Sequence, residues 1–189
     1  MPIVPDVKNW TWVVDTVCPE CGFDAPGTPF AAIPALTRDS ARALAAAAVV
    51  PGAAVRPDDA TWSALEYAAH ARDVCRIFAY RTAVAARIEP GPPPPFSGPA
   101  TVTAEGIPGF PGWDQDATAE ADRYGDQDPA AVAADLSAAA GAMADLLAAI
   151  PGSALALRAR RDDGSTFTVA SLARYFLHDL VHHVADVRR

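Results

Sequence analysis

Apolar and polar positions recur with helical period over four stretches of the chain, each bounded by start and stop residues. The first helix is predicted within Phe30–Val49, with Pro51-Gly52 as its stop; its alanines give high helix propensity but little bulk for packing. The second, Trp62–Arg87, contains no glycine or proline, and Asp58, Asp59 and Thr61 offer cap oxygens ahead of it. The third starts at Asp128-Pro129, a cap followed by proline at the first helical position, and reaches Ile150 before Pro151-Gly152. The fourth runs from near Thr168 to about Val187.

The intervening segments lack such periodicity. Residues 1–28 form an irregular N-terminal segment carrying Trp10, Trp12 and a Cys18-Pro19-Glu20-Cys21-Gly22 turn. Residues 88–127 form a long crossover; proline and glycine crowd Glu89–Gly112, which argues against a helix or a central strand there. Arg158–Gly164 reads as a short charged turn or hairpin. Four helices with one long crossover between the second and third predict an all-α four-helix bundle, a single domain over residues 1–189.

Composition narrows the function classes. At 189 residues and 51% hydrophobic, the chain can bury a real core, which excludes disorder throughout. Its apolar runs, such as Ala41–Val50, fall short of the about 18–20 uninterrupted residues of a membrane span, so no membrane partner is expected. A net charge of −8 argues against nucleic acid, whose phosphates demand a basic footprint. Met1–Pro5 shows neither a basic region nor an apolar signal core, and three cysteines cannot all pair within one chain; a reducing cytoplasm is the expected compartment. The single lysine, Lys8, and the alanine usage suit a GC-rich bacterial genome.

The four histidines carry the chemistry. His178 and His182 sit one turn apart on the last helix, about 40° apart in projection, and present two imidazoles to one ion. His183 projects about 140° from His178 and points elsewhere; with Asp179 it forms another i, i+4 pair, read as structural. His70, on a face of the second helix shared with Trp62, Val74 and Ile77, supplies a third ligand for a site with open coordination positions. Glu66 and Asp73 flank His70 and are candidates to orient it or to ligate. Against this, the plainest apolar stripe of the last helix, Leu172, Phe176, Leu180, Val184 and Val187, lies nearly opposite the paired histidines. A metal site there would therefore open into a pocket rather than a dry core.

His70 together with His178-Asp179-Leu180-Val181-His182-His183 resembles the DinB superfamily, and more narrowly its actinobacterial members. Cys18–Asp24, Trp62–Tyr67, Trp113–Ala119 and Phe167–Asp179 extend the likeness from about residue 10 to the C-terminus. The resemblance implies an up-down-down-up bundle, often dimeric, with a divalent metal on His70, His178 and His182. Zinc is the first choice, with nickel, manganese or iron as alternatives. It also implies chemistry related to thiol S-transferases and mycothiol-dependent isomerases, in which the metal stabilises the thiolate of a low-molecular-weight thiol that meets a small electrophile. The isomerase pattern has glutamate where His178 stands, and Glu89–Pro111 is longer than usual.

Other residues admit two readings. Trp113-Asp114-Gln115-Asp116 after the Pro-rich stretch is either a lid, with Trp113 as wall and Asp114 or Asp116 as polar contact or base, or an anchor with aspartates capping the next turn. Trp113, Arg174 and Tyr175 are the candidate cofactor-binding residues. Cys18-x-x-Cys21 is half a zinc pattern: a simple turn with free thiols or a local disulfide, thiols approaching the metal, or a redox pair. The expected function is a metal-dependent thiol transferase or isomerase, the alternatives being a non-catalytic dimeric scaffold and a hydrolase using metal-bound water.

Overall fold

The computed structural model describes residues 10–189, so the reading of Met1–Pro5 and Lys8 lies outside it. The four helices expected from periodicity are present: α1 (Ile33–Ala48), α2 (Ala64–Ala86), α4 (Pro129–Ala149) and α5 (Val169–Asp186). Asp128 caps α4, its carboxylate accepting from the Ala131 amide, with Pro129 at the first position.

The start of α2 is set by a residue that the sequence reading passed over. Ser63 Oγ accepts from the Glu66 amide and the Glu66 carboxylate accepts from the Ser63 amide, a reciprocal capping box. Asp58 is instead held within the preceding turn, where Ala60 N and Thr61 Oγ1 donate to its carboxylate. Ser63→Ala is expected to cost about 1 kcal/mol, read as a lowered urea midpoint at unchanged slope.

Helix α2 is central. It packs against α1, α4 and α5, and nearly all of its residues are buried. Ile33, Ala41, Leu44 and Ala48 of α1 meet Val132, Leu136, Ala140, Met143 and Leu147 of α4 in the core. By length and composition α4 could cross a bilayer. In the fold it buries one face against α1 and α2, while Asp135 and Asp145 on its outer side pair with Arg76 and Arg38.

The expected all-α architecture is corrected by a four-stranded sheet and a fifth helix, α3 (Gln115–Ala121). Strands β1 (Thr101–Val102), β2 (Pro108–Phe110), β3 (Arg158–Arg161) and β4 (Thr166–Thr168) lie in the order β1-β2-β3-β4; β2 and β3 are parallel and the outer pairs antiparallel. The Pro-rich crossover therefore does supply a central strand. Pro108 is its first residue, where a missing N–H is tolerated. Gly109 gives close approach, because a Cβ there would come 2.6 Å from Thr101 Oγ1 and 3.1 Å from the Arg160 carbonyl oxygen and force both to shift. The charged Arg158–Gly164 turn is the hairpin between β3 and β4.

Phe110, Ala159 and Phe167 bury the inner face of this sheet. Arg81, near the end of α2, lies over the rings of Phe78 and Phe110 and donates to the Pro111 carbonyl at 2.8 Å. Past α2, Arg87 adopts a left-handed backbone (φ 63°), and its guanidinium satisfies the helix-end carbonyls of Val84 and Ala85 and reaches Arg158 O. The sheet thus caps the C-terminal end of α2 and pins the crossover before it travels on to Trp113.

Candidate metal centre

Helix α5 is buried on two faces. Leu172, Phe176 and Leu180 enter the bundle core, whereas His178 and His182, 4% and 9% exposed, are covered by the N-terminal segment. Trp10 lies 5.5 Å from the His178 ring and 5.0 Å from the His182 ring, and Phe23 lies 6.2 Å from His178. This second covering layer resolves the conflict between the apolar stripe and the histidine face.

Among the described residues, two ligand groups emerge, set by two adjacent i, i+4 pairs on α5. The first joins Cys18, Cys21, His178 and His182, each offering one ligand atom within 4.8 Å of the others. The second joins His70, Asp179 and His183 by the same measure. The structure therefore divides the three expected histidine ligands: His178 and His182 stay together but face the CPEC turn, and His70 meets the pair that the sequence reading took as structural. Cys75, buried mid-helix, belongs to neither group.

In the second group, Asp179 Oδ1 is 3.1 Å from His70 Nε2 and 3.2 Å from His183 Nε2. The other ring nitrogen of His183, Nδ1, donates to Asp186 Oδ2 at 2.9 Å. Burial opposes a charge on His183, but these two carboxylates overcome it and push the imidazole up to about 9. Burial likewise works against ionised Asp179, yet the neighbouring His70 and His183 hold it far below the usual carboxylate range. His70 is fully buried between the Trp62 ring, at 5.2 Å, and the Trp113 ring, stacked at 5.3 Å with an interplanar angle of 5°.

His178 and His182 differ in character. Burial pushes the His178 imidazole down to about 4 and lowers that of His182, so both are neutral, the form that ligates a metal. His178 Nε2 is shielded from solvent and has no hydrogen-bond partner. His178, a neutral buried ring with an unpartnered nitrogen, is grouped with His182 and two thiols, a donor set that a divalent ion would complete.

A cavity of about 370 Å³ opens beside both groups. Asp179, His183, His178 and His182 lie along it, with Trp10, Trp62, Tyr67 and Tyr175 as aromatic walls. Glu20, Asp116 and Asp186 add carboxylates to its lining.

A family model of the DinB superfamily matches residues 35–187. The chain belongs to the DinB superfamily. Searches of the curated proteins and of the solved structures found no match. The DinB assignment agrees with the resemblance read from the histidines and tryptophan motifs, and the possible metal-binding groups on α5 lie within the matched region or dock onto it.

The remaining candidates of this DinB chain fall as follows. Glu66 is committed to Ser63 and to a two-pronged contact with Arg56. Asp73 accepts from both arms of Arg72, at 2.9 and 2.8 Å, and from Tyr124 Oη at 2.8 Å. The carboxylate that reaches His70 is Asp179, which sequence reasoning passed over because i, i+4 spacing on one helix says nothing about the helix opposite. Asp114 caps α3 through the Ala117 amide, and Trp113 Nε1 donates to Thr118 Oγ1, so the anchor reading describes both while Trp113 also walls His70. Arg174 donates to the Thr28 carbonyl and holds the N-terminal segment. Tyr175 stacks on Phe167 at 5.4 Å and lines the cavity.

Proposed function

We propose that the chain is a divalent-metal-dependent enzyme whose reaction pocket is the cavity beside α5, with His70, Asp179 and His183 as ligands of the reactive ion, which would take the place of the proton now held between His183 Nε2 and Asp179. The observation that carries this reading is the convergence of two imidazoles and one carboxylate within 4.8 Å, at the edge of a 370 Å³ cavity. Three protein ligands leave coordination positions open to a small molecule. An ion bound there would supply Lewis acidity, lowering the pKa of a thiol or water beside it. Zinc suits a mixed nitrogen and oxygen set, and iron or manganese suit it as well.

The surrounding residues divide the remaining work. Asp186 holds the Nδ1 proton of His183, fixing the ring so that Nε2 faces Asp179 and the cavity. Trp62 and Trp113 clamp the His70 ring and exclude water from behind it. Tyr67, its ring 4.8 Å from that of His183, closes another side; burial pushes its hydroxyl up to about 12, so it serves as a hydrogen-bond donor. These features support a nucleophile held against a small electrophile in a partly dry pocket. The reaction class proposed is thiol S-transfer or isomerisation, with mycothiol as the candidate thiol given the actinobacterial type of the resemblance.

Metal content by elemental mass spectrometry, combined with thiol-dependent turnover of a small electrophile, tests the proposal on protein purified without chelator or histidine tag. His70→Ala is expected to lose the pocket ion and to lower turnover by about a hundredfold or more. Full turnover in a metal-free His70→Ala protein would overturn it. Cleavage of activated esters without added thiol would assign hydrolysis to the same pocket.

A further inference from the structure

We propose that Cys18, Cys21, His178 and His182 form a second, closed zinc site that fastens the N-terminal turn onto α5. It goes beyond the reaction pocket, because four protein ligands fill a tetrahedral zinc and leave no position for a substrate. Around such an ion, sulfur and nitrogen ligands lie about 3.4–3.8 Å apart. Here the four ligand atoms all lie within 4.8 Å of one another, and Cys18 Sγ is 3.9 Å from His182 Nδ1. Closing onto one ion would bring the farthest of these atoms roughly an ångström nearer.

The surroundings point to an ion rather than to chance proximity. All three cysteines are free thiols, and Cys18 is completely buried. His178 Nε2 is buried with no partner, an arrangement that costs free energy unless a hydrogen-bonding group or a metal ion meets it. The turn is preset for two sulfurs: Cys18 N donates to Phe23 O, Gly22 N donates to Cys18 O, and Gly22 takes the positive φ of 76° that such a reversal needs. His182 turns Nδ1 toward Cys18, while its Nε2 faces the carboxylates of Glu20 and Asp186 at 3.7 and 3.8 Å. The spacing also matches: a C-x-x-C turn and an i, i+4 histidine pair are the two halves of a Cys2His2 site.

Binding is a ligand exchange without redox change. One Zn²⁺ takes both sulfurs as thiolates and both imidazoles as neutral ligands, and two protons leave to solvent. The resulting centre is neutral, so it can be enclosed by Trp10 and Phe23 without burying net charge.

Cobalt substitution tests this. Metal-free protein, reduced and loaded with Co²⁺ alone, is expected to show a near-ultraviolet thiolate-to-cobalt charge-transfer band together with strong visible bands of a tetrahedral centre. Cys18→Ser and Cys21→Ser should each about halve the charge-transfer intensity, and the double variant should hold one zinc fewer per chain. His70→Ala should leave the band unchanged, which separates this site from the reaction pocket: loss of thiolate ligation and loss of the pocket ion are read independently. Wild-type protein without a thiolate band, a measurement that requires no variant to fold, would overturn the proposal. So would unchanged zinc content in a folded double-serine variant.

Discussion

Asp179→Ala is expected to lower the unfolding free energy by about 3–5 kcal/mol and to remove the pocket ion in the same step. Asp179 touches both His70 and His183, through a single oxygen at 3.1 and 3.2 Å. Its loss leaves His183 with Asp186 alone as partner and leaves His70 Nε2 without one, in a fully buried ring whose Nδ1 already has none. Breaking a buried charged pair from one side is costly because the surviving charge stays desolvated. Urea unfolding and metal analysis on the same preparation read the two consequences together. A folded Asp179→Ala protein that retains a pocket ion would return the ligand role to the His70, His178 and His182 set expected from the resemblance.

Asp73→Ala is expected to destabilise by a similar amount, about 3–5 kcal/mol, while leaving metal binding per folded chain unchanged. Asp73 accepts both arms of Arg72, the Tyr124 hydroxyl and, at 3.3 Å, Arg76. Arg72 is only 6% exposed and also reaches Asp122 and Gln127, so the network stitches α2 to the segment between α3 and α4. Without Asp73, the guanidinium keeps two partners of its four contacts and the buried Tyr124 hydroxyl loses its acceptor. The measurement is a denaturant midpoint beside metal content at saturating zinc. Loss of metal without loss of stability would make Asp73 an orienting partner of His70 instead.

The long helices were legible because their signals are local. Asp128-Pro129, the stop at Pro151-Gly152 and the uninterrupted run after Trp62 each act within a few residues, and the structure places α1, α2, α4 and α5 accordingly. The sheet was not legible. Its strands are 2–4 residues long, too short for alternation to register, and the parallel pair joins Gly109 to Arg160, positions remote in sequence. Pro108 and Gly109 look like breakers and act as a strand because tertiary pairing outweighs local preference. At the site, helical arithmetic correctly grouped His178 with His182 and turned His183 away. What it could not supply is the rotation of α2 relative to α5, which decides that His70 meets Asp179 and His183. Nor could it say that the CPEC turn folds back over the other pair, one of the alternatives left open.

The parallel pairing of β2 with β3 makes the crossover a ruler in two parts. Between Phe110, locked against Arg161, and Trp113, stacked flat on His70, the chain has only two residues, and both are held: Pro111 O by Arg81 and Gly112 N by Asp162. Upstream, residues 89–100 connect the end of α2 to β1 with few such ties. Residues added ahead of β1 would therefore leave the spacing from strand to Trp113 unchanged. A chain of this design can lengthen its proline-rich arm freely, because the distance that matters is counted from the strand, not from the helix.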